Sequence, residues 1–296
     1  MNNEKQKWVL LIILSIIWGS SFILIKKSLE HYTPYQVGAL RVLISGIVLL
    51  PVALKNIKLF PTKNIKWLVL AALCGNFFPM FLFPMAETQI SSSIAGIVNS
   101  MMPIFVILIG SLLWKFPTNK IQIIGVLVSF SGACVLTLGS HDNGSLKIIP
   151  ILLLLLATLM YAISTTTVKF KLHNIPAKIL SAYVFGLVLT LPSLFALIIS
   201  GFFSDFKLSE NHIEGLGYIL ILSLIGTGLA MMINYKLLSI STPLFASTTT
   251  LLMPIIAIIW GIIDGEKLSF IQYIGGAIII AGLLFLRSPI KKEVSN

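Results

Sequence analysis

Acidic side chains are scarce in this 296-residue sequence, ten Asp and Glu against 21 Lys and Arg, and none falls in the interior of a long apolar run. That absence leaves no buried carboxylate relay of the kind that proton-coupled carriers place inside the bilayer. Charge of either sign is rare too, at 10% of residues, while 57% are hydrophobic and the mean hydropathy is +0.99. A soluble globule cannot hide that much apolar surface, so the composition excludes one and implies an integral membrane protein. Cysteine is nearly missing. Cys74 and Cys134 both sit within apolar runs, which excludes a disulfide framework and leaves small packing residues. The four histidines, His31, His141, His173 and His212, lie in connectors, with no nucleophile–base pair and no metal-ligand spacing. No enzyme, cofactor or metal site is expected.

What is present is a series of uncharged stretches about 20 residues long, at 8–27, 35–54, 66–86, 91–114, 120–139, 147–168, 177–200, 215–236, 243–263 and 269–287. This predicts an all-α integral membrane protein of ten transmembrane helices. The first run follows the basic start MNNEKQK but has span length and no small-x-small cleavage site, so it is expected to stay attached. The net charge of +11 resides in short connectors and forms no nucleic-acid patch. Fifteen Lys and Arg lie on the side of the N-terminus, and five (Lys26, Lys27, Lys147, Lys207 and Lys267) lie on the other. Arg41 stands alone within the second run. The excess predicts an inner-membrane protein with both termini cytoplasmic.

The chain repeats itself. Shifting by 151 positions matches Ala95, Met102, Pro103, Ile104, Ile107 and Gly110 with Ala246, Met253, Pro254, Ile255, Ile258 and Gly261. At 150, Gln122, Gly125 and Gly132 meet Gln272, Gly275 and Gly282; at 143, Trp18, Ser21 and Lys26 meet Tyr161, Ser164 and Lys169. Two units of five spans, 1–140 and 147–290, follow. An odd number of spans inverts the second unit relative to the first, which is an architecture of secondary transporters with substrate near the midplane. Pro103 and Pro254 fall in the middle of their runs and are expected to break their helices there.

WGSSFILIK in the first run, Arg41, the central prolines and GEKLSFIQYIGGAIIIAG at 265–282 together resemble the EamA-like branch of the drug/metabolite transporter superfamily, over nearly the whole chain. The resemblance implies ten helices in two inverted halves and carriage of small metabolites, often outward, including amino acids and related compounds. One departure is that Gly265-Glu266-Lys267 follows the ninth run, whereas Trp114-Lys115-Phe116, without the acid, follows the fourth. Small multidrug exporters, more distant in resemblance, carry a glutamate eight residues before the lysine of the first span. Here that position is Trp18, ahead of Lys26, which disfavours a carboxylate-driven cation antiporter.

Candidate substrate-binding residues are the polar or adaptable side chains at middle depth: Trp18, Ser20, Ser21, Arg41, Asn76, Asn99, Met102, Tyr161, Ser164, Thr165, Asn234 and Thr249. Polar groups in hydrocarbon face inward. Each also has a plainer reading: small hydroxyl residues promote close packing, methionine fills gaps, and Arg41 reaches the interface, pairs with Glu87 or attracts a substrate carboxylate. The aromatics Phe77, Phe78, Phe81 and Phe83 either wall the pocket or face lipid. Asn143-Gly144-Ser145 fits a glycosylation sequon and is taken as chance. The expected protein is a permease for a small, partly apolar molecule, with a passive channel, an accessory membrane protein and a nucleotide-sugar exchanger as alternatives. Its oligomeric state is left open.

Overall fold

The computed structural model describes residues 3–90, 92–138, 147–205, 210–263 and 269–285, which are helical with no strand among them. Each of the ten apolar runs contains a helix. They are α1 (Asn3–Leu29), α2 (Pro34–Lys55), α3 (Thr62–Glu87), α4 (Ser92–Asn99, then Met102–Trp114), α5 (Lys120–Leu138), α6 (Ile148–Lys171), α7 (Ala177–Ile199), α8 (His212–Ile240), α9 (Pro243–Ser247, then Thr249–Ile263) and α10 (Phe270–Phe285). Among the described residues seven are long and apolar enough to cross a membrane, and the apolar stretches of α5, α9 and α10 are shorter. Leu112, Ile148, Leu191 and Phe270 stand on the outside, each at least 72% exposed, whereas Ser129, Thr158, Ser193 and Thr249 are fully buried. Large apolar side chains outside and hydroxyls inside are the arrangement of a multi-pass membrane bundle, where lipid replaces water around the apolar exterior. The sequon at Asn143 and the Gly265-Glu266-Lys267 segment lie outside the described residues.

Local sequence sets the helix ends. Thr33 caps α2 through its hydroxyl to the Gln36 N–H, the Gln36 side chain returns to the Thr33 N–H, and Pro34 opens the first turn. Thr242 and Pro243 open α9 with the hydroxyl cap and the first-turn proline but no return bond, the Phe245 N–H lying on the Thr242 hydroxyl at 3.1 Å. Lys115, in the left-handed conformation at φ 48°, ends α4.

Contacts between helices follow one pattern. α1 packs on α8 and α9, α6 packs on α3 and α4, α2 crosses α7, and α5 runs along α10. Exchanging each helix for the one five places further on reproduces the same set of pairs. The α5–α10 seam shows why side chains of this kind sit there: a Cβ at Gly132 would lie 2.7 Å from the Ile279 nitrogen and 2.9 Å from the Gly275 carbonyl. One at Gly282 would lie 2.6 Å from the Gly125 carbonyl and would strike Ser129. Gly125, Ser129 and Gly132 become Gly275, Ile279 and Gly282 on adding 150, so the seam mirrors itself. In lipid, where burying apolar area gives little drive between helices, this backbone-to-backbone approach supplies van der Waals contact.

Three helices carry a wide turn with i to i+5 bonding: Leu73–Phe77 in α3, Tyr183–Leu189 in α7 and Leu224–Leu229 in α8. Those of α3 and α8 share the repeat register, with Gly75 matching Gly226. Wide turns free carbonyls that hydrocarbon cannot solvate, and hydroxyls take them. Ser164 donates to the Ala71 carbonyl, Thr227 to Leu222, Ser45 to Ser223 and Thr190 to Phe185, all at 3.0 Å or less.

Both α4 and α9 are interrupted ahead of a buried proline, but not at equal distances from it. α4 breaks at Ser100 and Met101, immediately before Met102-Pro103, while α9 breaks at Thr248, six residues before Pro254. The run Ser247, Thr248, Thr249 and Thr250 explains the shift. Each hydroxyl donates to the carbonyl three residues back, at 2.7 to 2.9 Å, and so satisfies the turn that opens there.

Candidate functional site

Seven helices enclose a cavity of about 850 Å³, counted with its open mouth. α1 contributes Trp18, Ser21, Phe22 and Ile25; α2 contributes Arg41; α3 contributes Gly75, Met80 and Phe83; and α4 contributes Asn99 and Met102. The second half adds Tyr161, Ser164 and Thr165 from α6, Met231, Asn234, Tyr235 and Leu238 from α8, and Ala246, Thr250 and Met253 from α9. The lining suits a small organic molecule, since ligand pockets set a few polar groups among apolar walls.

The repeat organises the wall. Trp18 has its counterpart in Tyr161, and Ser21 in Ser164. Asn99 matches Thr250, and the four methionines form two matched pairs, Met80 with Met231 and Met102 with Met253. Serine and wide turn meet twice: a Cβ at Gly75 would strike the Ser164 hydroxyl, and one at Gly226 would lie 2.9 Å from the Ser21 hydroxyl. Four thioethers with three rotatable bonds each make an apolar surface that reshapes around its occupant.

Arg41 breaks the symmetry. α2 places it in the cavity wall, while its partner helix α7 contributes nothing. It is 5% exposed and is fixed by the wide turn of α8, with Nε donating to the Thr227 hydroxyl at 2.6 Å and Nη2 reaching the Gly226 carbonyl at 3.5 Å. Trp18 Nε1 donates to the same Gly226 carbonyl at 3.2 Å. A guanidinium has five N–H donors, so three have no protein partner among the described residues. No carboxylate lies within ion-pair distance of it there. Of the alternatives for Arg41, the pairing with Glu87 is not made here: Glu87 accepts from the Ser92 hydroxyl at 3.0 Å through Oε2, and its Oε1 has no partner among the described residues. The Asn99 side-chain oxygen, also in the wall, is likewise unpartnered.

Nine of the twelve sequence candidates line the cavity: Trp18, Ser21, Arg41, Asn99, Met102, Tyr161, Ser164, Thr165 and Asn234. Three do not. Ser20 turns outward, donates to the Ile16 carbonyl and accepts from Trp260 Nε1 at 2.7 Å. Asn76 is buried behind the wall, its amide on the Tyr235 hydroxyl at 3.4 Å, and Thr249 is spent on the Ala246 carbonyl. Sequence reasoning passed over Met80, Met231 and Tyr235. Met80 and Met231 could have been found by extending the 151-residue offset through Gly75 and Gly226. Of the span-three aromatics Phe83 walls the cavity, and Phe78 is 45% exposed on the outside.

The sequence profile of the EamA-like transporter family matches residues 6–138 and 148–288. The chain belongs to the EamA-like transporter family. Similar relatives include an uncharacterized transporter of Archaeoglobus fulgidus, 25% identical over 94% of this chain and 97% of its own. The uncharacterized inner membrane transporter YedA of Escherichia coli is 26% identical over 92% and 87%, and the uncharacterized transporter YetK of Bacillus subtilis is 28% identical over 94% and 84%. One solved crystal structure superposes with a TM-score of 0.71 over 96% of both chains at 15% identity, which shows a shared fold. As an EamA-like protein the chain is a multi-pass membrane transporter.

Proposed function

We propose that this EamA-like protein is a ten-span secondary transporter working by alternating access, with inverted halves at 1–140 and 147–290 and substrate held in the cavity between them. Its cargo is a small, partly apolar molecule with a carboxylate or another compact anionic group, such as an amino acid or related compound, moved outward across the cytoplasmic membrane. The observation that carries this reading is Arg41. A cation buried in the wall, held by neutral acceptors and without a counter-ion among the described residues, is an electrostatic anchor for an anion that arrives from solution. Methionines and aromatics around it fit an apolar remainder. One basic side chain in the lining is too few for a nucleotide diphosphate, which disfavours the sugar-nucleotide reading.

The pair pattern of the helices and the shared register of the α3 and α8 wide turns support two inverted halves. A metabolite-wide comparison of cells and medium, with and without the protein, identifies the cargo. Saturable flux and counterflow of that compound in proteoliposomes are expected; flux that never saturates would make the protein a channel. The excess of basic residues supports cytoplasmic termini. A cysteine at Asn56, in a background lacking Cys74 and Cys134, should be protected from an impermeant reagent on intact cells while one at Asn143 reacts. The reverse labelling overturns the orientation.

A further inference from the structure

Lys26 and Lys169 occupy the same position in the two repeats, near the C-terminal ends of α1 and α6, yet they are used differently. Lys169 reaches across to α8 and donates to the Leu238 carbonyl at 2.8 Å and the Ser241 carbonyl at 2.6 Å. Those are the last carbonyls of a helix, which have no intrahelical partner and carry partial negative charge. The bond ties α6 to α8 beside Leu238 and Ala246, which line the cavity at that end.

At the other end the corresponding helices are α1 and α3, and adding 151 to Glu87 gives Leu238. The residue that faces Lys26 by symmetry is thus Glu87. Here the tie is absent: Lys26 is exposed and makes no hydrogen bond or ion pair among the described residues, although its charge reaches Glu87. Glu87 is only 9% exposed and keeps an unpartnered Oε1. A buried carboxylate oxygen without a donor is costly, and such atoms in native structures call for a reason. A partner that arrives in a second conformation supplies one.

We infer that Lys169 and Lys26 are reciprocal latches: the Lys169 latch holds its end of the cavity shut in this structure, and in the opposite-facing state it releases while Lys26 closes on Glu87. The inference rests on the carrier reading given above. It makes the two closed states chemically unequal, one held by helix-end carbonyls and the other by a charge pair.

Two reporter cysteines test it in the full-length protein in liposomes, lacking Cys74 and Cys134: Ala246→Cys at the Lys169 end and Ile25→Cys at the Lys26 end. Lys169→Gln should raise maleimide labelling of the first by about fivefold and lower that of the second, in line with ordinary conformational couplings. Lys26→Gln and Glu87→Gln should do the opposite, and the exchanged pair Lys26→Glu with Glu87→Lys should return both reporters toward their starting rates. A Lys26→Gln protein whose reporters do not move, or move as in Lys169→Gln, overturns the latch. Because Lys26 is exposed and unbonded here, that variant carries the test without a folding liability. If Lys26→Gln fails in this way while the reporters still move reciprocally in Lys169→Gln, the carrier reading stands and the reciprocal latch falls; reporters that move reciprocally in no variant sink both.

Discussion

The α5–α10 seam and the central cavity both carry the sequence repeat at offsets of 150 and 151, but they carry it differently. In the seam the two copies still mirror each other down to which glycine lies against which carbonyl. In the cavity the methionines remain matched, whereas Arg41 is present on one side only and Trp18 has its counterpart in Tyr161. Packing needs small residues at fixed spacing, so both copies are held to the same pattern. Recognition of a molecule without two-fold symmetry needs groups placed on one side. The comparison teaches that departures from the repeat, more than matches to it, mark the chemistry.

The largest effect should come from the unmatched residue. Arg41→Gln is expected to cut flux, normalised to folded protein in the membrane, by about 100-fold, the size of one lost charge-assisted contact of roughly 3 kcal/mol. Arg41→Lys keeps the charge but loses the planar fork, and about tenfold of the flux should go. Unchanged flux in Arg41→Gln would return attention to the amides and hydroxyls of α4, α6, α8 and α9. Loss of membrane abundance in parallel with flux would make Arg41 structural.

The seam should respond next, and evenly. Gly132→Ala and Gly282→Ala each push a methyl into backbone, at a cost of about 1–3 kcal/mol. Thermal unfolding in detergent should show similar downward shifts for the two. Unequal shifts would mean that the mirror holds in geometry but not in energy.

The prolines should give the smallest effect, and an uneven one. Pro103 stands in the first turn of its helix segment, where a missing N–H costs nothing, while Pro254 lies inside its segment. Pro254→Ala should therefore stabilise the fold by about 1 kcal/mol or less and slow transport two- to threefold, since a regained backbone bond removes local freedom. Pro103→Ala should do little in either assay. Equal effects would restore the symmetry that the different break points deny.

The residues themselves show how much of this was legible. Helix positions and the repeat followed from apolar runs and identities, because lipid enforces length and hydropathy. The position of a residue along its helix was legible as well, but the direction a side chain faces was not. Ser20, Asn76 and Thr249 each stand one residue away from a lining residue, namely Ser21, Gly75 and Thr250, and one residue is about 100° of rotation on a helix. Wide turns were hidden because they depend on hydroxyls from other helices, such as Ser164 on the Ala71 carbonyl, that no local pattern reveals. The Arg41 anchor point was hidden for the same reason: Thr227 lies 186 residues away.

The mirrored seam also has a history during synthesis. α5 is complete at residue 138, whereas α10 begins at residue 270, after every other helix named here. At about 5–20 residues per second a ribosome needs roughly ten seconds to bridge that gap, and for that time α5 sits in the bilayer without its partner. Lipid makes the wait tolerable, because a glycine-lined helix face in hydrocarbon suffers no aqueous penalty. The seam thus closes only when α10 docks onto a helix inserted long before, and a nascent chain halted before residue 270 would present the bare glycine face of α5 to the cell's membrane quality control.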